Sequence, residues 1–520
     1  MGLTTISGTI QAQPLNDNFS YLNERKNDLV FNVKDYGATL DGITNDSDAL
    51  IGALNAAASV AGTVLIPPSS SGMLISTTAT ITIPFGVTLI GANAGLYNDI
   101  YLSVNTGSVI KITGNAGNAS GNPVFTMQSG SQIKNLSFNW PNQTATNPPV
   151  AYPYLVKGQA AVCNDCLIEN IFLYNCYQFA DFTGNHERLK IKDVYGDILY
   201  SGIVINNSVD VDRLVNVHFW PFFGTGTAIS TYRANNAIGI TINRADGFQA
   251  SNIFIYGHQK GIQLGDGVNK CYGQITNYSA DLCRFGIYSD SINPNGISIQ
   301  NYDYAMSSAS QTAYGLANSY AMFFGDIGTG LIEINNTKIW GGPTGAIFTP
   351  ITFNGSAILN NMNVSAITGT ALISHSGTTG TIKVRNIESS FNIPIATMGT
   401  AASTITIENP SLINETFIGT PAPKFLKYNT LDSSAISTAS TASLTLPTNG
   451  DFFNIIGTTS ITSITASRPG REVTFTFAEQ LTVTDGSNLK LAGNFVTTAN
   501  YTMKLICDGI NWLEVSRSSN

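Results

Sequence analysis

One mark recurs along the middle of this chain: an apolar residue, any residue, Asn, and another apolar residue. It stands at Asn135, Asn170, Asn216, Asn252, Asn277, Asn301, Asn336, Asn361, Asn386 and Asn409, with Asp193 in the same slot. Successive marks fall 35, 23, 23, 36, 25, 24, 35, 25, 25 and 23 residues apart. A period near two dozen residues, lengthened three times by about a dozen, is the arithmetic of a solenoid whose coils stack one on the next. The stretches between marks are short, β-type and without helical spacing, so each coil is built of strands. The pattern predicts an all-β chain organised as a parallel β-helix, one mark per rung.

Asn suits such a slot because it tolerates the left-handed backbone region that a sharp bend needs, and stacked copies can bond to one another. Equal offsets from the mark then become columns. Positions −2, +1 and +3 are mostly apolar and are expected to face the core, whereas −1, +2 and +4 face outward. At a strand spacing of roughly 4.8 Å, the eleven rungs would make a rod on the order of 50 Å long.

Composition fits this reading. Of 520 residues, 43% are hydrophobic and 11% charged, which allows a large core and excludes a disordered tail or linker. The formal net charge of −8 argues against duplex nucleic acid or an anionic membrane surface as partner, and favours a neutral or polyhydroxylated one. Met1 to Val30 has no signal-peptide pattern and no apolar run is long enough to span a bilayer, so a soluble cytosolic product without a signal peptide is expected. The six cysteines, Cys163, Cys166, Cys176, Cys271, Cys283 and Cys507, are too few and too dispersed for a disulfide scaffold. Cys163 and Cys166 have CxxC spacing, but no second pair or His completes a zinc site, so reduced, partly buried thiols and no metal centre are expected.

The N-terminal residues carry a resemblance. Val33-Lys34-Asp35-Tyr36-Gly37-Ala38, Asp41-Gly42-Ile43-Thr44-Asn45-Asp46, Ala49-Leu50-Ile51, Gly62-Thr63-Val64-Leu65-Ile66-Pro67-Pro68 and Gly86-Val87-Thr88-Leu89-Ile90-Gly91 resemble the entry segment of the pectate-lyase-like superfamily, a segment widespread in bacteriophage tail spikes. The residues read as a short strand, a turn, a capped amphipathic helix starting near Asp46 or Ser47, and the first rungs. The resemblance implies a right-handed parallel β-helix, association into a homotrimer and a place on the virion tail. Residues 1–30, with a short helical stretch over Gln13 to Asn23, are similar to virion-attachment leaders that bind the phage tail or baseplate. Residues 31–425 would be the β-helix. Residues 426–520 read as alternating strands with Gly, Asn and Asp turns, a C-terminal antiparallel β-sandwich for trimerisation or receptor contact.

The register also maps the outer surface. Positions +2 and +4 read Phe172 and Tyr174, Tyr195 and Asp197, His218 and Trp220, Phe254 and Tyr256, Ser279 and Asp281, Asp303 and Ala305, Lys338 and Trp340. Sugars stack their apolar ring faces on aromatics and hydrogen-bond to carboxylates, so this stripe suits an oligosaccharide. His218, Trp220, Tyr256, Trp340 and Arg284 are the candidate binding residues, with insertions after Asn216 and Asn301 as walls. Asp281 and Asp303, on adjacent rungs, are candidates for the acid and base of glycoside hydrolysis, with Asp246 as a third. Asp246, Asp266, Asp290 and Asp326 each follow a strand and form a competing column. Under a lyase reading such acids would hold Ca²⁺ while Arg284 or Arg244 abstracts a proton; turn capping by Asp explains the column equally well. The function expected is recognition and hydrolysis of a host cell-surface polysaccharide, with a non-catalytic adhesin or a calcium-dependent lyase as alternatives and no other cofactor.

Overall fold

The computed structural model describes residues 16–20, 30–94, 107–350, 352–377, 379–389, 392–398, 404–408, 411–412, 417–418, 425–427, 435–447 and 450–520. The chain divides into two compact units, Met1–Ile292 with Ala309–Ala317, and Asn293–Ser308 with Asn318–Asn520. Of the expected N-terminal leader, residues 16–20 are helical, Val30 opens a short strand, and the rest lies outside the described residues, as does Asn409.

In the first unit the entry segment forms as its sequence suggests. Helix α1 (Ser47–Ala58) buries Leu50, Ala53, Leu54 and Ala57. Asp46 stands at its N-cap but makes no side-chain cap bond. Its carboxylate accepts instead from the backbone of Thr39 (2.8 Å) and Leu40 (3.2 Å), fastening the entry turn, while Asn45 Oδ1 accepts from Ser47 Oγ (2.6 Å).

The rungs follow as strands β1 (Gln132–Asn139), β2 (Tyr154–Gly158), β3 (Leu167–Phe182), β4 (Lys190–Ile205), β5 (Arg213–Phe219), β6 (Ile238–Ile242), β7 (Asp246–Tyr256), β8 (Lys260–Leu264), β9 (Cys271–Asp281) and β10 (Phe285–Ser289). Helix α2 (Thr227–Asn236) interrupts them after β5. All pairing is parallel and in the predicted register: Ile133, Ile168, Ile191, Leu214, Ala250 and Ile275 form one column, all buried. Each fully buried aliphatic side chain in such a column contributes about 1.5–3 kcal/mol of transfer free energy. In the second unit β11 (Ile292–Ala305), β12 (Leu331–Trp340), β13 (Ser356–Val364) and β14 (Thr381–Ser389) repeat the arrangement, with Ile299, Ile334, Leu359 and Val384 aligned.

All ten described marks have a left-handed backbone, with φ between 52° and 57°. Their side chains form ladders: Asn170 donates to Asn135 (2.9 Å), Asn216 to Asp193 (2.7 Å) and Asn277 to Asn252 (2.9 Å) in the first unit. In the second, Asn336 donates to Asn301 (3.1 Å), Asn361 to Asn336 (3.1 Å) and Asn386 to Asn361 (2.9 Å). The slot thus makes two separable demands, a conformation and a hydrogen bond. Asn361→Gly keeps the conformation and loses the bonds, whereas Asn361→Ala loses both. Denaturant unfolding is expected to rank Ala below Gly below wild type, with Ala lower than Gly by about 1 kcal/mol. Equal loss for the two variants would show that the left-handed bend carries no penalty there.

The six cysteines are free and buried, with Cys163 Sγ and Cys166 Sγ 3.1 Å apart. The C-terminal module departs in one respect from the expected antiparallel arrangement. Its main sheet joins β15 (Ile436–Ala439), β16 (Phe452–Ile456) and β17 (Glu472–Phe477) in parallel, and only from β17 to β18 (Thr502–Cys507) and β19 (Trp512–Ser518) does it turn antiparallel. Alternating hydrophobicity fixes which side of a strand is buried and is blind to the direction of its neighbour. The inner face packs Phe453, Phe475, Phe477, Leu505 and the fully buried Trp512, whose indole donates to Thr465 O (3.2 Å). Trp512 is accordingly a core residue. No described helix is long and apolar enough to cross a membrane.

Candidate functional site

The outward columns beyond the Asn bend carry the candidate site of the first unit. On β4, β5 and β7, register places Tyr195, His218 and Phe254 side by side, and Tyr256 beside Asp281 on β9. The rings are in contact. His218 lies 4.7 Å from Phe254 and 5.9 Å from Tyr195, between centroids, and Trp220 lies 4.6 Å from Tyr256 and 6.0 Å from Phe254. Burial among these rings holds His218 below the usual imidazole pKa, so near neutral pH it is an uncharged aromatic wall.

The run ends at Asp281. Its carboxyl is half-buried, and loss of solvent pushes its pKa above the ordinary carboxylate value despite an opposing hydrogen bond from Leu282 N–H. The neighbouring Tyr256 hydroxyl is pushed up to about 12 by burial, then by Tyr314 and Asp281. A carboxyl that resists ionisation beside an aromatic platform is the environment that suits a general acid.

The insertion after Asn216 closes one side of this run. Within it Phe222 packs on Phe172 (5.4 Å) and on His218 (6.3 Å), and Phe223 on Tyr174 (5.6 Å). Asp197, expected to face solvent, is 1% exposed. Its Oδ1 accepts from Arg233 Nη1 of α2 at 2.7 Å and its Oδ2 from Phe223 N at 3.1 Å. The strand does point Asp197 outward; the insertion then folds down over it and supplies a cation. Asp197 is therefore an anchor for the wall and no part of the exposed stripe. Residues 309–317, from the insertion after Asn301, join the same wall, since Asn235 Nδ2 of α2 donates to Tyr314 O (3.1 Å). Phe222, Phe223, Arg233 and Tyr314 were missed from sequence because insertions lie outside the repeat register.

The remaining expected residues are dispersed. Asp246 begins β7, at the end opposite Tyr256, and pairs with Arg244 (3.2 Å). Arg284 precedes β10 and lies over the Phe285 ring at 5.0 Å. Asp303 and Trp340 belong to the second unit, where register sets exposed Asp303 beside Lys338 and Ala305 beside Trp340, itself 49% exposed. In the competing acidic column, Asp266 accepts from the backbone of Val268 and Asn269 and Asp326 from Gly328 N, which is turn capping. Among the described residues no group of three or more His, Cys, Asp or Glu is arranged to hold a metal ion.

No protein-family model matches the chain, and no curated protein matches it in sequence. Solved structures do. The tail spike of E. coli bacteriophage HK620, solved with a hexasaccharide, aligns with a TM-score of 0.51 at 11% identity, over 75% of this chain and 72% of that one. The N-terminal fragment of bacteriophage Phi29 gene product 12 aligns with a TM-score of 0.48 at 14% identity, over 92% and 84%. The A-module of the Azotobacter vinelandii mannuronan C-5 epimerase AlgE4 aligns with a TM-score of 0.45 at 13% identity, over 77% and 100%. The chain has the parallel β-helix fold found in phage tail spikes.

Proposed function

We propose that this chain is a phage tail spike that binds a bacterial surface glycan along the His218–Trp220–Phe254–Tyr256 run and cleaves it by hydrolysis, with Asp281 as general acid. The observation that carries the reading is the continuous aromatic floor ending in a half-buried carboxyl whose pKa is raised by burial. Stacked aromatics hold successive sugar rings by their apolar faces, and a carboxyl whose burial favours its protonated form suits protonation of a glycosidic oxygen at the end of the run. The entry segment and the fold shared with the HK620 tail spike support the tail-spike part of the reading. Homotrimeric association and attachment to the phage tail through the N-terminal segment belong to the same proposal.

A second reading, adhesion without cleavage, is favoured by Asp197: the carboxylate in the same column as Asp281, three rungs away, is consumed by Arg233. The two readings, and the calcium-dependent lyase, separate in one experiment. Purified protein is incubated with surface polysaccharides from candidate hosts, and polymer size, reducing ends and ultraviolet absorbance are followed. Shortening with new reducing ends and no absorbance is the expected result. Absorbance from an unsaturated uronate, abolished by chelator, would replace hydrolysis by elimination, and retention of intact polymer would leave the adhesin.

A further inference from the structure

The turn between β2 and β3, residues 159–166, holds two thiols that the aromatic run does not use. Cys163 and Cys166 are each 1% exposed, and their sulfurs lie 3.1 Å apart. Two carbonyls of the preceding rung hold them face to face: Cys163 Sγ lies 3.2 Å from Met127 O and Cys166 Sγ 3.3 Å from Gln128 O. The backbone of the turn is fixed from both sides. Gly130 N donates to Asn164 O (2.7 Å), and Cys163 N and Asp165 N donate to Asn185 O (3.0 Å) and Glu187 O (2.9 Å) of the next rung. Neither sulfur is deep, since Ala160, Ala161, Val162 and Asp165 of the same turn are exposed.

A charge stands beside the pair. His186 Nε2 faces Asp212 Oδ2 at 2.9 Å and its Nδ1 faces Gly184 O at 2.8 Å, two acceptors that an imidazolium satisfies together. Burial opposes that charge, but the Asp212 carboxylate outweighs it and holds the ring above its usual pKa. The hydrogen bond with Cys166 holds Cys163 below the ordinary thiol range against the cost of burial, and His186 adds to it. Cys166 is pushed the other way, by that same hydrogen bond and then by burial. One sulfur of the pair therefore ionises while its neighbour keeps a proton. Cys271 and Cys283, by contrast, are pushed up to about 12 by burial.

We propose that Cys163 and Cys166 are an oxidisable pair, closed to a disulfide by a peroxide once the chain is outside a reducing cytosol. The Cys163 thiolate attacks one peroxide oxygen, the O–O bond breaks, and a sulfenic acid forms as hydroxide leaves and takes up a proton to become water. The Cys166 sulfur then attacks Cys163 Sγ; the S–O bond breaks, the S–S bond forms, and the hydroxyl departs with the Cys166 proton as a second water. Two thiols lose two electrons, and one peroxide becomes two waters. The sulfurs need to approach by only about 1 Å to reach bonding distance. A peroxide is small enough to pass a cover one turn thick when that turn opens locally. The cross-link fastens the turn that meets the next rung at Asn185 and Glu187. The inference does not depend on glycan binding, although a tail spike, which works outside the cell, is where such a pair meets an oxidant.

The test takes the full chain, purified under reductant and then freed of it, and exposes it under native conditions to hydrogen peroxide. The protein is next unfolded and alkylated, and intact mass counts the thiols. All six cysteines are alkylated before peroxide. The expected result after it is two fewer, with a mass lower by two hydrogens before alkylation, and full recovery with dithiothreitol. Cys163→Ser and Cys166→Ser each keep all of their remaining thiols. Six alkylatable thiols surviving in the wild type overturn the pair, as does a gain of oxygen in place of a loss of hydrogen. The same paired loss in either serine variant assigns the bond to other cysteines and overturns it as well. Matching melting curves establish that the variants are folded, and the wild-type count stands without them.

Discussion

Asp281→Asn is expected to lower the rate of polymer shortening by roughly 10²–10⁴-fold while leaving polymer binding within a few-fold of wild type. The size follows from the task. Protonating a leaving glycosidic oxygen needs a carboxyl that holds its proton more firmly than an ordinary one, and burial at the end of the aromatic run pushes Asp281 in that direction. An amide of the same shape keeps the stacking surface on Trp220 and Tyr256 but has no proton to give. The pH profile carries the sign: activity requires the protonated form, so the rate falls as pH rises through the raised Asp281 pKa. Stability moves with it. A carboxyl whose folded pKa is raised contributes stability that is full below its unfolded value, about 3.9, and is lost as pH rises through the folded value. At neutral pH Asp281→Asn should therefore melt at or above wild type while losing activity, an outcome that a merely structural Asp281 would not give. Full activity in Asp281→Asn would remove the hydrolytic assignment.

The fold was legible because one residue type satisfies two physical demands at once. A bend at φ near 55° excludes most side chains, and a ladder of amides selects Asn among the few that remain, so the mark recurs at every rung as at Asn252, Asn277 and Asn361. Burial then follows from counting two residues back or one forward. What repetition cannot encode is what covers an outward position. His218 and Trp220 were legible as outward aromatics, but Asp197 occupies an equivalent offset and is buried, because Phe223 and Arg233 arrive from a segment with no register of its own. The parallel pairing of β15, β16 and β17 was hidden because Phe453, Ile455, Phe475 and Phe477 alternate as they would in a hairpin.

The buried pair behind the wall should be the most sensitive point of the first unit. Arg233→Met is expected to cost about 3–5 kcal/mol, because it leaves the Asp197 carboxylate desolvated with only backbone donors. The loss should reach the candidate site without touching it. Arg233 also donates to Gly224 O (2.6 Å) and Ser230 Oγ (3.3 Å), so it ties the start of the insertion to α2, and Phe222 and Phe223 pack on the aromatic run from that same segment. Glycan binding should weaken together with stability. The compensating variant separates charge from shape. In Asp197→Asn with Arg233→Met no buried charge remains, and neutral pairs of similar volume are often tolerated where half of an ion pair is not. Denaturant unfolding of wild type, both single variants and the double variant closes the cycle. The double variant should recover much of what Arg233→Met loses; if it is as unstable as the two single losses added together, the two residues act independently and the wall is held by its aromatic packing instead.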